Sequence, residues 1–409
     1  MTSPTNHKGK HAPMPDIGDL YYKKSIDLWA FTVTDGPGPN GKPRRREITA
    51  RRKGIAVKKR QAILKQIYGG TYLHGTSPTL TAWWEHWCDN IASQRVRPNV
   101  LANYRSYGRK HIAPTIGHKK LDKLTTDDIR ALHTVMRDNG ASSRTVEAVH
   151  NTLHKALDDA VREDKLAVNV LDKMDRPRAV SRQREALSAA EVKALLATIQ
   201  GEPPMWRARW LMALQIGARQ GECLGLEWER VDLTPGMEAL DLSWQLQRIP
   251  WRHGRDCGCP KGASAATCPD RAPDAREDFE IRPCHKGLWL QRPKTAASIR
   301  RTPMTQALVR AMLDWREEST GEGLVFTQRG RPIVSAADTR AWRELCQRAG
   351  TRVVDLHSAR HTMVTGLLEA GVDPEIIRQL VGHSTMVSTR HYLHVSQDAA
   401  RAALNAWGS

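Results

Sequence analysis

One long stretch of the chain has apolar residues at every third or fourth position, the spacing of a helix that buries one face. The stretch opens at Ser143, and its apolar residues are Val146, Val149, Leu153, Leu157 and Val161. No other segment of the chain has so regular a helical pattern. It predicts a long amphipathic helix, around which neighbouring helices must pack.

Shorter helical patterns precede it. Leu80, Trp83, Trp84 and Trp87 recur at three- and four-residue steps, and residues 98–111 form a second pattern with basic residues on its exposed side. Thr125 to Asp128 supply an N-terminal cap for a helix over residues 129–136. We expect an all-α domain over residues 75–172, with the tryptophans in its core.

The chain of 409 residues is long enough for two or three domains. Its mean hydropathy is −0.54, and it has neither an apolar run near the roughly 18 residues of a membrane span nor a signal-peptide pattern. We therefore expect a soluble, intracellular, cytoplasmic protein. Its 7 cysteines are odd in number and too sparse for a secreted disulfide scaffold.

Positive charge is concentrated at the N-terminus. The chain has 63 Lys and Arg against 44 Asp and Glu, and the first 70 residues hold 15 of the former and 5 of the latter. Residues 19–33 and 44–49 read as strands on either side of a Gly- and Pro-rich turn, and residues 57–67 read as a helix. We expect residues 1–74 to form a small basic sheet with one helix that contacts DNA. The alternative is a solvated basic face or an electrostatic anchor.

A basic linker and a third domain follow. Residues 173–186 contain many arginines and almost nothing to bury, so they are expected to connect domains. Ser188 and Glu191 have the spacing of a capping box, which predicts the start of a helix. The third domain is expected to span residues 187–409.

The third domain contains several cationic residues and a tyrosine. Arg219 lies in a glycine-flanked bend before a predicted helix, and a guanidinium suits a phosphate. Taken alone, Arg219 could equally be a surface arginine or one held by Glu222. His357 and Arg360 are three residues apart and would share a face of a helix.

Two further residues follow the predicted helix of residues 374–380. His383 comes after Gly382, and Tyr392 comes nine residues after His383, in a basic neighbourhood. By itself Tyr392 is as well explained as a packing residue.

Together, Arg219, His357-x-x-Arg360, His383 and Tyr392 resemble the tyrosine recombinases, or lambda-type phage integrases, in residue type, order and spacing. The match continues in Ala218-Arg219-x-Gly221-Glu222, Leu356-His357-x-x-Arg360-His361-Thr362 and Leu380-Val381-Gly382-His383-Ser384. The segment Pro293 to Pro303 resembles the family's lysine hairpin, with Lys294 as the lysine.

The resemblance implies a multidomain, mainly α architecture. It comprises a basic N-terminal arm-type DNA-binding domain with a small β-sheet and a helix, an all-α (SAM-like) core-binding domain, and a mixed α+β catalytic domain. It also implies a DNA integrase of a phage, prophage or mobile element, acting as a homotetramer on core and arm attachment sites in double-stranded DNA. Host DNA-bending and directionality factors are further partners to expect. The tail at residues 398–407 would dock on a neighbouring subunit, or instead pack on its own domain.

The resemblance also assigns roles. Tyr392 would attack the scissile phosphate and form a 3′-phosphotyrosine. Arg219 and Arg360 would hold the charge on the non-bridging oxygens. Lys294 would protonate the leaving 5′ oxygen, and His357 would accept the phenol proton. His383 would donate a further hydrogen bond to the phosphate, and catalysis would need no cofactor or metal.

A cysteine-rich insertion occupies about residues 251–286 of the third domain. Cys257, Cys259, Cys268 and Cys284 could bind a structural Zn²⁺, and His253 and His285 lie in the same segment. The alternative is a flexible insertion with reduced cysteines. Neither interpretation gives the insertion a catalytic role.

Two other functions remain open at this point. A type IB topoisomerase or a simple dimer resolvase would use the same chemistry without integration. A zinc-containing DNA-binding regulator would only bind DNA, and its function would survive loss of the Tyr392 hydroxyl.

Overall fold

The computed structural model describes residues 16–37, 43–68, 77–180, 186–254, 256–260 and 262–382. The described residues fall into two compact units, one within Met1–Ser181 and the other within Arg182–Ser409. The division between the units lies inside the basic segment that the sequence assigns to a linker. No helix within the described ranges is both long enough and apolar enough to cross a membrane.

The helices are α1 (Lys53–Tyr68), α2 (Leu80–His86), α3 (Ser93–Arg95), α4 (Pro98–Tyr107), α5 (Ala113–Thr115), α6 (Thr126–Asp138), α7 (Ser143–Arg162), α8 (Ala189–Gln200), α9 (Pro204–Leu211), α10 (Gln220–Leu224), α11 (Gln306–Glu318), α12 (Ser335–Arg348), α13 (Leu356–Glu369) and α14 (Pro374–Val381).

The strands are β1 (Asp16–Ile17), β2 (Tyr21–Lys23), β3 (Leu28–Pro37), β4 (Pro43–Ala50), β5 (Val231–Asp232), β6 (Ala239–Asp241), β7 (Gln245–Arg248), β8 (Trp251–Arg252), β9 (Ala272–Pro273), β10 (Ile281–His285), β11 (Leu288–Gln291), β12 (Arg301–Pro303), β13 (Thr327–Gln328) and β14 (Arg331–Pro332). The chain is mainly helical with small antiparallel sheets, which confirms the expected fold class.

The first unit begins with the expected small sheet. Strand β3 pairs with β4 along one edge and with β1 and β2 along the other, all antiparallel. Phe31 and Val33 of β3 are fully buried, and Ala56 and Ile67 are the buried residues of α1. The strands and helix predicted for this region are therefore confirmed where they are described; residues 38–42 of the expected turn lie outside the described part.

The rest of the first unit is all-helical. Trp83, Trp84 and Trp87 are buried, and their indole N–H groups donate to the Ala156 carbonyl, the Tyr104 carbonyl and the Asp159 carboxylate at 2.8, 3.1 and 2.8 Å. The apolar face of α7 is buried as its periodicity predicts. Thr125 and Asp128 form the capping box of α6. The tryptophans are thus core residues.

The core of the second unit lies among α8, α9, α11, α12 and the small sheets. Ser188 and Glu191 cap α8 as the sequence predicts. An ion pair between Arg209 of α9 and Asp338 of α12 is almost fully buried, with an Nη2–Oδ2 distance of 2.7 Å. The Gln220 side-chain amide donates to the same carboxylate at 2.9 Å. This network holds the start of α10, and hence the neighbouring Arg219, against the core.

The sheet of the second unit carries the insertion and the lysine segment. Strands β6 and β7 follow each other in the chain and pair with β12 and β11 respectively. Residues 292–300 therefore form a loop that joins β11 to β12 opposite residues 242–244. The chain between β7 and β11 is the long insertion, which contributes β10 to the edge of β11.

Candidate active site

Arg219 is placed by the local conformation of the chain before α10. Gly217 has φ +61°, a left-handed conformation that ends the helical segment Met212–Ile216 after α9, and a Cβ there would lie 3.1 Å from the Met363 sulfur. Arg219 is the N-cap residue of α10, and its backbone N–H donates to Glu222 Oε2 at 2.9 Å. Its Nη1 donates to Glu222 Oε1 at 2.7 Å while 34% of the side chain stays exposed. Arg219 is thus an oriented guanidinium with an open side.

Arg360 is buried where three segments meet. It lies in the first half of α13, which confirms the predicted helix, and only 2% of the residue is exposed. Its Nη1 donates to the Gly217 carbonyl at 2.7 Å, and its Nη2 donates to the Val381 carbonyl. The side chain therefore fixes the bend before Arg219 to the end of α14.

The C-terminal carbonyls of α14 are held by three arginines. Arg300 Nε donates to the Leu380 carbonyl at 2.8 Å, Arg360 donates to the Val381 carbonyl, and Arg219 Nη2 donates to the Gly382 carbonyl at 3.3 Å. Helix C-termini carry partial negative charge and unsatisfied carbonyls, so positive side chains stabilise them. The chain that leads to His383 is thus anchored at its last described residue.

Glu222 holds two of these arginines. Its side chain is 1% exposed; besides Arg219, it accepts a hydrogen bond from Arg300 Nη2 at 2.9 Å. Burial raises the pKa of this carboxyl, but the charges and hydrogen bonds of Arg300 and Arg219 outweigh burial and hold the pKa below its usual value. Glu222 is therefore a carboxylate that orients both guanidiniums.

Lys294 and His357 both have exposed side chains. In the sequence, Lys294 shortly precedes Arg300 and His357 shortly precedes Arg360. Lys294 lies in the loop of residues 292–300 between β11 and β12, two strands that pair with β7 and β6 and not with each other. This differs from the hairpin that the family resemblance implies. Arg292 stacks on Trp244 at 4.1 Å from the ring centroid, and Ser298 Oγ donates to the Gly382 carbonyl at 3.4 Å. These contacts fix both ends of the loop of residues 292–300, which we call the lysine loop.

His357 occupies the first turn of α13, one turn before Arg360. Asp355 caps this helix by accepting from the Ser358 N–H at 2.8 Å.

His383, Tyr392 and the tail at residues 398–407 lie outside the described residues. Of the six expected catalytic residues, the structure therefore describes four, and it links Arg219 and Arg360 through Gly217 and the end of α14.

Sequence reasoning missed the role of Arg300. This residue belongs to the segment that resembles the lysine hairpin, but no role was assigned to it. Its guanidinium bridges Glu222, Ser298 and Leu380, and its side chain is 6% exposed. The sequence signal for Arg300 is its position next to Arg301 in the segment that resembles the lysine hairpin.

The cysteine-rich insertion brings together a group that differs from the expected one. His253, Cys257, Cys259 and Cys268 each offer one ligand atom, and these atoms all lie within 4.8 Å of one another. Cys284 is not in this group. It lies in β10, whose pairing with β11 leaves it packed against the core of the second unit.

Two segments of the chain match known protein families. Residues 79–136 match the N-terminal SAM-like domain of phage integrases, and residues 280–399 match the phage integrase family. The chain is 27% identical over 427 residues to an integrase of Saccharopolyspora erythraea, and the alignment covers 94% of this chain and 95% of the relative.

Two solved structures share the fold. The Tn1549 transposon integrase in complex with transposon right end DNA has a TM-score of 0.62 and 19% identity, and the match covers 81% of this chain and all of that one (100%). A lambda integrase tetramer bound to a Holliday junction has a TM-score of 0.53 and 16% identity, over 92% of this chain and 97% of that one.

The family matches and the integrase relative thus support a DNA-cleaving and rejoining enzyme. The two matched segments and the integrase relative indicate a tyrosine recombinase.

Proposed function

We propose that the chain integrates mobile-element or prophage DNA into a bacterial chromosome through a 3′-phosphotyrosine intermediate on Tyr392. The observation that carries the proposal is the arrangement of Arg219 and Arg360, which hold the Gly382 and Val381 carbonyls at the end of α14. Two permanent positive charges are thereby fixed immediately before His383. Such preorganised donors stabilise charge on a phosphate without reorganising during the reaction.

Each remaining residue has a role in this proposal. The Tyr392 oxygen attacks the phosphorus, a bond to the 3′ phosphate forms, and the bond to the 5′ oxygen breaks. His357 accepts the phenol proton and Lys294 gives a proton to the leaving 5′ oxygen, so protons balance. Arg219 and Arg360 neutralise the non-bridging oxygens, and His383 donates to one of them. The bond energy stays in the phosphotyrosine, and rejoining reverses the same steps.

Metal ions have no part in the proposed reaction, because fixed cationic side chains act where two-metal nucleases use Mg²⁺. Any zinc in this chain is proposed to be structural and to lie in the cysteine-rich insertion.

A suicide DNA substrate tests the chemistry. A nicked duplex that spans the junction between the element and the chromosome should trap the wild-type chain as a covalent 3′ adduct. Tyr392→Phe should form none, and the control Tyr68→Phe, at an exposed tyrosine of α1, should form as much as wild type. An adduct that persists in Tyr392→Phe would assign the nucleophile elsewhere, and a wild-type chain that binds DNA without any adduct would favour a regulator.

Strand exchange separates the two enzymes that share this chemistry. An integrase should exchange strands between two duplexes and yield recombinant products. Relaxation of supercoiled DNA without recombinant products would instead identify a type IB topoisomerase, and recombination confined to dimer resolution would identify a resolvase.

The basic N-terminal sheet is proposed to bind arm sites. Arg44, Arg45 and Arg46 are exposed on β4, where they can neutralise DNA phosphates. Deletion of residues 1–74 should spare cleavage of a core site and impair integration at a full attachment site. Unchanged integration would show that this module binds no arm site.

We also propose that the chain works as a homotetramer, as the lambda integrase tetramer on a Holliday junction suggests. The tail at residues 398–407 would then dock on a neighbouring subunit, and host DNA-bending or directionality factors would assist. Sedimentation of the chain on a four-way junction should show four subunits, and removal of the tail should reduce that number.

A further inference from the structure

The cysteine-rich insertion lies mostly outside the segments that match the integrase families. The matched catalytic segment begins at residue 280, whereas the insertion leaves the sheet after β7. The short antiparallel pairing of β8 with β9 holds the two ends of the ligand-bearing segment together, with Trp251 opposite Pro273. Between residues 250 and 280, only Cys268 and Asp274 are buried among the described residues. A segment with so small an apolar core needs another source of stability.

The ligand atoms of His253, Cys257, Cys259 and Cys268 have the spacing of a tetrahedral site. All four lie within 4.8 Å of one another, and His253 Nδ1 is 3.3 Å from Cys257 Sγ. Around a tetrahedral zinc with bonds of about 2.0 to 2.3 Å, neighbouring nitrogen and sulfur ligands are about 3.5 to 3.8 Å apart. Only a small contraction of the group is therefore needed to hold the ion.

The ring of His253 is oriented for metal binding. Its Nε2 lies 3.0 Å from the Ala263 carbonyl oxygen, which can only accept a hydrogen bond. Nε2 must therefore carry the proton, and in the neutral ring Nδ1 presents its lone pair to Cys257. Metal-binding histidines commonly donate their second N–H to a backbone carbonyl in this way.

Close backbone packing brings the two ends of the ligand loop together. A Cβ on Gly254 would lie 2.4 Å from the Asp270 backbone carbonyl oxygen, so only glycine fits next to His253. Cys268 follows the short turn of Ala265–Thr267, and its N–H donates to the Ala265 carbonyl at 3.3 Å. The first and last ligands are thus adjacent although 15 positions separate them in the sequence.

We propose that His253, Cys257, Cys259 and Cys268 bind one structural Zn²⁺ and that Cys284 does not. Three thiolates and one imidazole close the tetrahedron, which leaves no position for substrate. Binding releases the thiol protons, and its free energy stabilises the insertion. The insertion in turn supports the lysine loop, since Trp251 packs edge-on against Trp289 of β11 and Glu280 pairs with Arg292 at 3.1 Å.

Metal analysis of the full chain tests this proposal independently of DNA cleavage. Protein purified without chelators or a nickel column should contain about one zinc per chain by mass spectrometry. Cys268→Ser and Cys259→Ser should lose most of it, and Cys284→Ser, the matched control within the same insertion, should keep it all. Full zinc content in Cys268→Ser, or an equal loss in Cys284→Ser, would overturn the ligand set.

A second variant covers the case in which the serine variants fail to fold. His253→Cys should keep about one metal per chain, because four thiolates also form a closed zinc site. In the cobalt-substituted protein, this variant should add thiolate-to-cobalt absorption relative to wild type. An unchanged cobalt spectrum would show that His253 is not a ligand, and wild-type protein that holds disulfides but no zinc would remove the site.

Discussion

Arg300 Nη2 lies 2.9 Å from Glu222 Oε2, and both side chains are buried in the second unit. This pair joins the loop that carries Lys294 to α10, the helix that Arg219 caps. Because Glu222 also accepts from Arg219, a single carboxylate sets the positions of two guanidiniums. The two cationic segments of the site are therefore held by one shared anion.

Glu222→Gln should weaken both folding and catalysis. The change leaves Arg300 buried without its counterion, and breaking a buried pair in this way costs about 3 to 5 kcal/mol. We expect a loss of that size in urea unfolding followed by tryptophan fluorescence, together with a fall of at least about tenfold in covalent adduct formation. Glu229→Gln is the control, because its carboxylate is 69% exposed and such pairs contribute about 0 to 1 kcal/mol. Wild-type stability in Glu222→Gln would show that the pair is dispensable.

Gly382→Ala should displace the end of α14. Gly382 has φ +66°, and a Cβ there would lie 2.8 Å from the Ala297 carbonyl oxygen. Gly371 also follows a helix with positive φ, at +77°, but a Cβ there would meet nothing within 4 Å. Gly371→Ala should therefore cost only the roughly 1 to 2 kcal/mol of left-handed strain. Gly382→Ala should cost more and should also lower the cleavage rate; equal effects of the two substitutions would contradict this account.

Local sequence patterns predicted the elements that depend on neighbouring residues. The capping boxes of Thr125 with Asp128 and of Ser188 with Glu191 need contacts only three residues apart, and both are present. The periodicity after Ser143 predicted α7 because one helical face meets one core. The bend and helix at Arg219 followed from its flanking glycines.

Contacts between residues far apart in the chain could not be predicted from the sequence. Arg300 meets Glu222 across 78 positions, and no local pattern indicates which of several neighbouring arginines turns inward. The cysteine count suggested four thiols, but the pairing of β10 with β11 directs Cys284 to the core and leaves His253 beside the other three. The position of the lysine loop likewise depends on which strands pair with each other. Sequence periodicity does not specify that pairing.

Arg219→Ala should reduce cleavage far more than DNA binding. Loss of one preorganised donor to the transition state costs about 10²-fold or more in rate, whereas DNA affinity is shared among many Lys and Arg contacts to phosphates. Single-turnover adduct formation and fluorescence anisotropy on the same duplex measure the two effects. Arg310→Ala, at an exposed position of α11, is the control and should change neither strongly. A cleavage rate near wild type in Arg219→Ala would remove this residue from the active site.

Acid should weaken the helical part of the first unit through a pair of buried histidines. His133 of α6 and His150 of α7 have ring centroids 5.3 Å apart, and His133 is 5% exposed. Burial, with the nearby charges of His150 and Arg137, lowers the pKa of His133 to about 4, and burial also lowers the pKa of His150. As the pH falls from about 6.5 to about 4, the unfolded chain takes up protons that the folded chain cannot, so stability falls in that window. At about 1.4 kcal/mol per pKa unit, His133 alone accounts for on the order of 3 to 4 kcal/mol over that whole window.

His133→Leu should make the stability of the protein depend less steeply on pH. Calorimetric unfolding temperatures between pH 7 and pH 4.5, at constant ionic strength, should fall less steeply than in wild type, because the variant no longer has a neutral imidazole that must stay unprotonated when folded. Carboxylates titrate equally in both proteins, so the difference in slope isolates the histidine. His118→Leu removes an exposed histidine from the same helical part and should keep the wild-type slope. Parallel curves for His133→Leu and wild type would show that this buried ring does not control the acid response.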